Sequence, residues 1–354
     1  MDDRLSIMKT VAVTVAVALV AAAATASLVA ATRSSPPPVA FRELAKVPAV
    51  DIPTGFAAAG GLVWVTVRGD RQDRAGTAFG FDRSGTLRQK LAVGSVPVAV
   101  AASSGGLWVG NGTVPGYRRT LGNGTVEEFT GLRTGPVGKR SFPLAGPEAL
   151  AVSAPGAVVL TSAEKTGFPV SLRRLPRLGQ PLTLRMSVAD ETTGVGPVIV
   201  ACVGNLYAVG TTAAGTVEVA TMTQSVQLRS LSSAHTTGVA SLACARTKQG
   251  RAVPLLVISG RHGGIRCLLV SDGCAAGVHG DPNVDAAVGA GNGVLLAVDP
   301  AAFGPSAGIE RIDLTSGKLL TVTKAPSPGP VRLAASSTNV FLFDSGAVYA
   351  VTAR

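Results

Sequence analysis

A unit made of a short Ala/Val strand, a Gly-bearing turn and a second apolar strand recurs along this chain from Pro48 onward. Its clearest copies are 56–65, which contains Gly60-Gly61-Leu62-Val63-Trp64-Val65, and 97–110, which contains Gly105-Gly106-Leu107-Trp108-Val109-Gly110. Weaker copies occupy 147–160, 197–209 and 239–258, and two more begin at Val284 and Pro330. Successive copies lie roughly 40 to 50 residues apart without a 3.6-residue periodicity, so each unit is expected to be a four-stranded sheet rather than a helical repeat. Seven such sheets set radially about an axis predict an all-β, seven-bladed β-propeller over residues 39–354.

The segments between copies supply the outer strands. Residues 79–87, with Asp82-Arg83-Ser84-Gly85-Thr86, and 309–319, with Asp313-Leu314-Thr315-Ser316-Gly317, both read as strand, polar Gly turn, strand. From Pro330 the chain has room for only three strands, at 331–335, 340–343 and 347–352. The fourth is expected from the other end, where Val39-Ala40-Phe41-Arg42-Glu43-Leu44-Ala45-Lys46 has no sheet of its own; pairing it there removes an open edge. Inner strands of Ala and Gly let sheets crowd round an axis, which accounts for an aromatic content of only 4%. With 46% hydrophobic residues, 43 Gly and 22 Pro, the composition excludes a disordered chain and a helical bundle.

The two Gly-Leu-(Val)-Trp-Val stretches resemble the signature of bacterial propeller families, the YVTN/NHL-like and streptogramin-lyase-like repeats and the periplasmic regulator propellers. That resemblance covers about residues 46 to 354 at the level of fold. It implies the propeller and leaves function to be argued from a site.

The first forty residues address the compartment. Residues 1–9 are polar with Arg4 and Lys9, and 10–32 form an uncharged run of Ala, Val and Leu. A bilayer core needs about 20 apolar helical residues, and preceding cations keep the amino terminus in the cytoplasm. The run therefore reads as a single transmembrane anchor with the domain outside the cytoplasm; Ala24-Thr25-Ala26 also fits cleavage of a secretory signal, which would release it. The 33–38 stretch, ending Pro36-Pro37-Pro38, reads as a stiff spacer. Cys202, Cys244, Cys267 and Cys274 form an even set consistent with two disulfides outside the cytoplasm. Cys202 and Cys244 take the same place at the end of adjacent inner strands and would staple two blades, while Cys267 and Cys274 could close a hairpin.

No nucleophile elbow, phosphate-binding Gly loop or zinc-ligand spacing occurs, and His235, His262 and His279 complete no metal pattern. The net charge of +11 is scattered: Arg118-Arg119, Lys139-Arg140 and Arg173 to Arg185 have no interleaved aromatics, so they read as solvated faces rather than a nucleic-acid groove. Asn111-Gly112-Thr113 and Asn123-Gly124-Thr125 read as turns. Trp64 and Trp108 are equivalent and expected to pack between blades. Ligands of such folds bind where inner strands begin, at the channel mouth. Aligned there, Val98, Glu148, Val198 and Asp285 are near-equivalent and Arg332 lies one place further on, which makes Glu148, Asp285 and Arg332 the candidate binding residues. The resulting expectation is a monomeric binding or scaffolding module for envelope proteins or anionic polymers, without catalysis, metal or cofactor. The alternative is a lyase or lactone-processing enzyme using a divalent cation such as Mg at that mouth.

Overall fold

The computed structural model describes residues 39–48, 53–69, 75–112, 124–133 and 136–144, and beyond residue 146 chiefly the strands named below with some of their turns. The 10–32 run, the 33–38 spacer, the three histidines and Cys274 lie outside the described residues. No helix among the described residues is long and apolar enough to cross a membrane.

Short apolar runs bounded by Gly, Pro and Ser form strands throughout, because they alternate side chains between two buried sheet faces. A first strand, β1 (Ala40–Lys46), precedes sheet 1, formed in spatial order by β2 (Pro53–Ala59), β3 (Leu62–Val67), β4 (Gly76–Asp82) and β5 (Leu87–Val93). Sheet 2 comprises β6 (Val96–Ala102), β7 (Gly106–Gly112), β8 (Thr125–Thr130) and β9 (Gly138–Pro143). Sheet 3 comprises β10 (Pro147–Ser153), β11 (Gly156–Ser162), β12 (Val170–Leu175) and β13 (Leu182–Leu184). Sheet 4 comprises β14 (Val198–Cys202), β15 (Asn205–Thr211), β16 (Val217–Met222) and β17 (Val226–Leu231). Sheet 5 has three described strands, β18 (Gly238–Arg246), β19 (Ala252–Ser259) and β20 (Gly264–Cys267). Sheet 6 comprises β21 (Val284–Ala290), β22 (Gly293–Val298), β23 (Ser306–Asp313) and β24 (Leu319–Pro328). Sheet 7 joins β25 (Val331–Ala335), β26 (Val340–Asp344) and β27 (Ala347–Thr352) to β1, which pairs antiparallel with β27 from Ala40 opposite Thr352 to Lys46 opposite Ala347.

The first strands form a cycle. β2 packs on β6, β6 on β10, β10 on β14, β14 on β18, β18 on β21, β21 on β25, and β25 returns to β2. Alternation then assigns each side chain a neighbour. Ala99, Ala101 and Trp108 of sheet 2 share a core with Leu150 and Val152 of sheet 3. The intervening residues Val100 and Ala102 sit instead with Trp64 and Ala78 of sheet 1. Phe56 and Ala58 likewise face Phe341 and Phe343 of sheet 7. Odd positions counted from Ala99 or its equivalents therefore face the following sheet and even positions the preceding one.

Antiparallel order also gives the ring two faces. First strands begin on what we term the upper face, and the turns after first and third strands lie on the lower face. Hydrogen bonds at the turns agree: Arg133, in the turn after β8, donates to the Gly60 carbonyl in the turn after β2, while Val47 N donates to Gly346 O at 2.8 Å on the upper face. β1 starts on the lower face at Ala40 and ends on the upper. It is held there by the β4–β5 turn. Arg42 Nη2 donates to Arg83 O at 3.2 Å, and Gly85, at φ 88°, lies against the Leu44 carbonyl where a Cβ would collide. Asp82 organises that turn, accepting at Oδ1 from Ser84 N (2.8 Å) and Thr86 N (3.0 Å) and at Oδ2 from Arg88 Nε (2.7 Å). These bonds, led by that from the Ser84 hydroxyl, hold its carboxyl well below the usual carboxylate range.

Candidate functional site: the upper mouth of the ring

Where the first strands begin, the ladder slips by one residue in sheet after sheet. The register jumps between Pro53 and Gly55, Pro97 and Ala99, Pro147 and Ala149, Val239 and Ser241, and Val284 and Ala286. Each slip is a β-bulge that leaves one residue unopposed: Thr54, Val98, Glu148, Ala240 and Asp285. Bulges re-aim side chains at sheet rims. Glu148 and Asp285 thus occupy equivalent bulge positions, although their side chains lie outside the described residues.

Val198 does not join them. It pairs with Val209, and the hairpin closes with Cys202 opposite Asn205, as the Ser103 N to Gly106 O bond closes that of sheet 2. Counting back from the hairpins matches Val198 to Ala99, one place beyond Val98, because the bulge consumes a residue that a sequence alignment does not register.

Arg332 pairs with Phe343 and, counted from its hairpin, matches Ala99. It is an odd position and faces the following sheet, where its Nη1 donates to Thr54 O at 2.8 Å. The guanidinium is solvent-exposed, yet enough protein surrounds it that desolvation lowers its pKa from the ordinary arginine value. The seam between β25 and β2 therefore carries a fixed positive charge at the upper mouth, beside the bulge at Thr54.

Asp344, at the upper end of β26, is fully buried. Its Oδ2 accepts from Ser327 N of sheet 6 at 2.7 Å and its Oδ1 from the Ser345 hydroxyl at 2.9 Å. Burial raises its pKa from the usual value, and the hydrogen bonds from Ser327 and Ser345 oppose that rise without cancelling it. The folded pKa lies above the unfolded one, so the contribution to stability is complete below the ordinary carboxylate pKa and is lost as pH rises through the folded value. Asp344→Asn keeps an acceptor and cannot ionise. Its stability relative to wild type, from urea midpoints, should therefore increase between pH 4 and pH 7; a pH-independent difference would refute this.

Two neighbouring glutamates behave unlike surface residues. Glu127 and Glu128 of β8 are buried. Glu127 accepts from Gly94 N at 3.2 Å and pairs with Lys139 at 2.8 Å, whereas Glu128 pairs with Arg140. Lys139 and Arg140 are thus ion-paired across β8 and β9 and lie over the Phe129 and Phe142 rings, rather than forming a merely solvated face. Asn111 is not a turn residue either. It lies within β7 at 2% exposure, because the strand continues past Gly110 in register with Thr125. Among the described residues no three His, Cys, Asp or Glu side chains are grouped to hold a metal ion.

Cys202 and Cys244 form a disulfide, with Cα atoms 5.4 Å apart, between sheets 4 and 5. They are not at the same position, as the repeat suggested. Cys202 is the fifth residue counted from Val198 and Cys244 the fourth from Ser241. One faces forward and the other back, and only such an offset lets side chains of adjacent sheets meet. Cys267 ends β20, and its expected partner Cys274 lies outside the described residues.

No protein-family model matches the chain, and no curated protein matches it. Solved structures do. The WD40 β-propeller domain of Doa1 superposes with a TM-score of 0.51 at 12% identity, covering 89% of this chain and 97% of that one. The fold is a β-propeller. The computationally designed Ika8 protein is similar at a TM-score of 0.52 and 13% identity, over 88% of this chain and all of its own. At these identities the likeness concerns the fold of the propeller alone.

Proposed function

We propose that the chain is a seven-bladed, membrane-anchored propeller outside the cytoplasm. It acts as a binding or scaffolding module for envelope proteins or anionic polymers, engaged at the upper mouth. The single observation that carries the site is the recurrent bulge. Five first strands carry one unopposed residue at the same rim, and the alternation of Thr, Val, Ala, Glu and Asp there varies charge on a constant frame. Arg332, bound to Thr54 O, adds the cation. A rim with Glu148 and Asp285 at two bulge positions and the Arg332 guanidinium beside a third suits a polar partner presenting both signs. The excess charge of +11 favours acidic partners by long-range attraction, which salt screens.

The test uses the full chain as bait in an envelope extract, with Glu148→Ala, Asp285→Ala and Arg332→Ala compared with wild type. Loss of each contact is expected to weaken capture by about tenfold, equivalent to about 1.4 kcal/mol. Undiminished capture by all three variants at equal folded content would remove the upper mouth as the site.

A further inference from the structure

Among the described residues, the large hydrophobics left exposed are Leu87 at 46%, Val137 at 38%, Leu319 at 49% and Val322 at 45%. Leu87 and Leu319 are the first residues of fourth strands β5 and β24, and Val137 immediately precedes the fourth strand β9. Fourth strands begin on the lower face. Three of these four residues therefore share one rim, on sheets 6, 1 and 2; sheets 6 and 1 are the neighbours of sheet 7, where β1 starts.

Cations accompany them. Arg42, Arg83, Arg88, Arg133, Arg246 and Lys318 are exposed and lie in, or within three residues of, lower-face strand ends and turns. Of the carboxylates there, Asp82 holds the β4–β5 turn and accepts from Arg88, Asp313 Oδ1 accepts from Ser316 N at 3.0 Å, and Glu43 of β1 is exposed. Isolated Leu and Val side chains ringed by Arg and Lys form the pattern of an interfacial surface. The apolar groups enter the headgroup boundary and the cations meet lipid phosphates.

Chain connectivity favours the same occupant. β1 begins on this lower face, and only residues 33–38 separate it from the apolar 10–32 run. From this juxtaposition we infer that the lower rim carrying Leu87, Val137, Leu319 and their flanking cations docks on an anionic lipid surface, leaving the upper mouth directed away from it. The inference rests on the membrane-anchored reading for the source of that surface.

The experiment reconstitutes the full chain into phosphatidylcholine vesicles with or without phosphatidylglycerol. A polarity-sensitive fluorophore is placed on Leu87→Cys, or on Lys46→Cys at the upper end of β1. Leu87→Cys should show a blue-shifted emission only in the phosphatidylglycerol vesicles, reversed by raising salt beyond the Debye-screening range, while Lys46→Cys shows none. Arg42→Glu combined with Lys318→Glu should abolish the shift; the lipid and salt dependence of the otherwise unmutated chain decides the matter if that variant fails to fold. A chain that does not float with either vesicle overturns both the anchor and the docking. Flotation with no shift at Leu87→Cys, equal shifts at both labels, or a shift produced by soluble poly(glycerol phosphate) but not by vesicles overturns the docking alone.

Discussion

Trp64→Ala should destabilise the domain by about 3–5 kcal/mol, the range for deleting a buried indole whose cavity cannot collapse. Trp64 is 1% exposed and packs with Ala78, Leu107, Val109 and Phe129 at the seam between sheets 1 and 2. The seam has little freedom to close around a void. Gly80 is opposite Trp64 in the ladder, and a Cβ there would lie 2.8 Å from the indole, so the ring fills the space that a side chain at 80 would need. Trp108 occupies the equivalent place between sheets 2 and 3, with Ala99, Val126, Leu150 and Leu175 around it and Phe142 stacked at 5.9 Å. Its truncation should cost a similar amount. Urea unfolding of each variant gives the values; a loss below about 1 kcal/mol for both would mean the seams are not packed as described.

Opening the Cys202–Cys244 bridge should remove about 4 kcal/mol. The crosslink spans 42 residues, and the entropy withdrawn from the unfolded chain by a loop of that length has this size at 25 °C. Cys202→Ser with Cys244→Ser isolates the effect from whatever Cys267 and Cys274 do. Thermal unfolding of the double variant against oxidised wild type measures it. An unchanged midpoint would show that the stapled sheets 4 and 5 hold together without the bond.

The architecture was legible because its signals are local and repeated. The Gly-Gly-Leu-(Val)-Trp-Val stretches predict a tight turn followed by a buried strand, and β2–β3 and β6–β7 are hairpins of that kind. Residues 79–87 and 309–319 predict strand, turn, strand; the turns are held by Asp82 and Asp313. What sequence could not show is the offset of one residue. The bulge is occupied by Thr54, Val98, Glu148, Ala240 or Asp285, side chains with no common chemistry, so nothing announces that a position has been skipped. Val198 and the relative places of Cys202 and Cys244 were misread for that reason.

The buried acids were hidden by a different cause. Glu127-Glu128 beside Thr130 reads as a solvated edge, but each sheet here is covered on both faces. Alternation therefore sends Glu127 toward sheet 1, where Gly94 N meets it, and Glu128 to the opposite face of its strand. Asp344 is likewise a turn residue by sequence, yet its neighbour in space is Ser327 of another sheet. Only the packing of β24 against β26 across the seam brings them together.

The joining of the two ends of the described chain in one sheet depends on β1 being the outer strand of sheet 7. Cysteines placed at Arg42 and Ala350, which are opposite each other in the β1–β27 ladder, probe this directly. Oxidation of the monomeric chain should give a 42–350 linkage, read as a joined peptide by mass spectrometry. A chain that folds but yields no such linkage, or yields it only between molecules, would contradict the closure of sheet 7 by β1 and with it the placing of the start of β1 on the lower face.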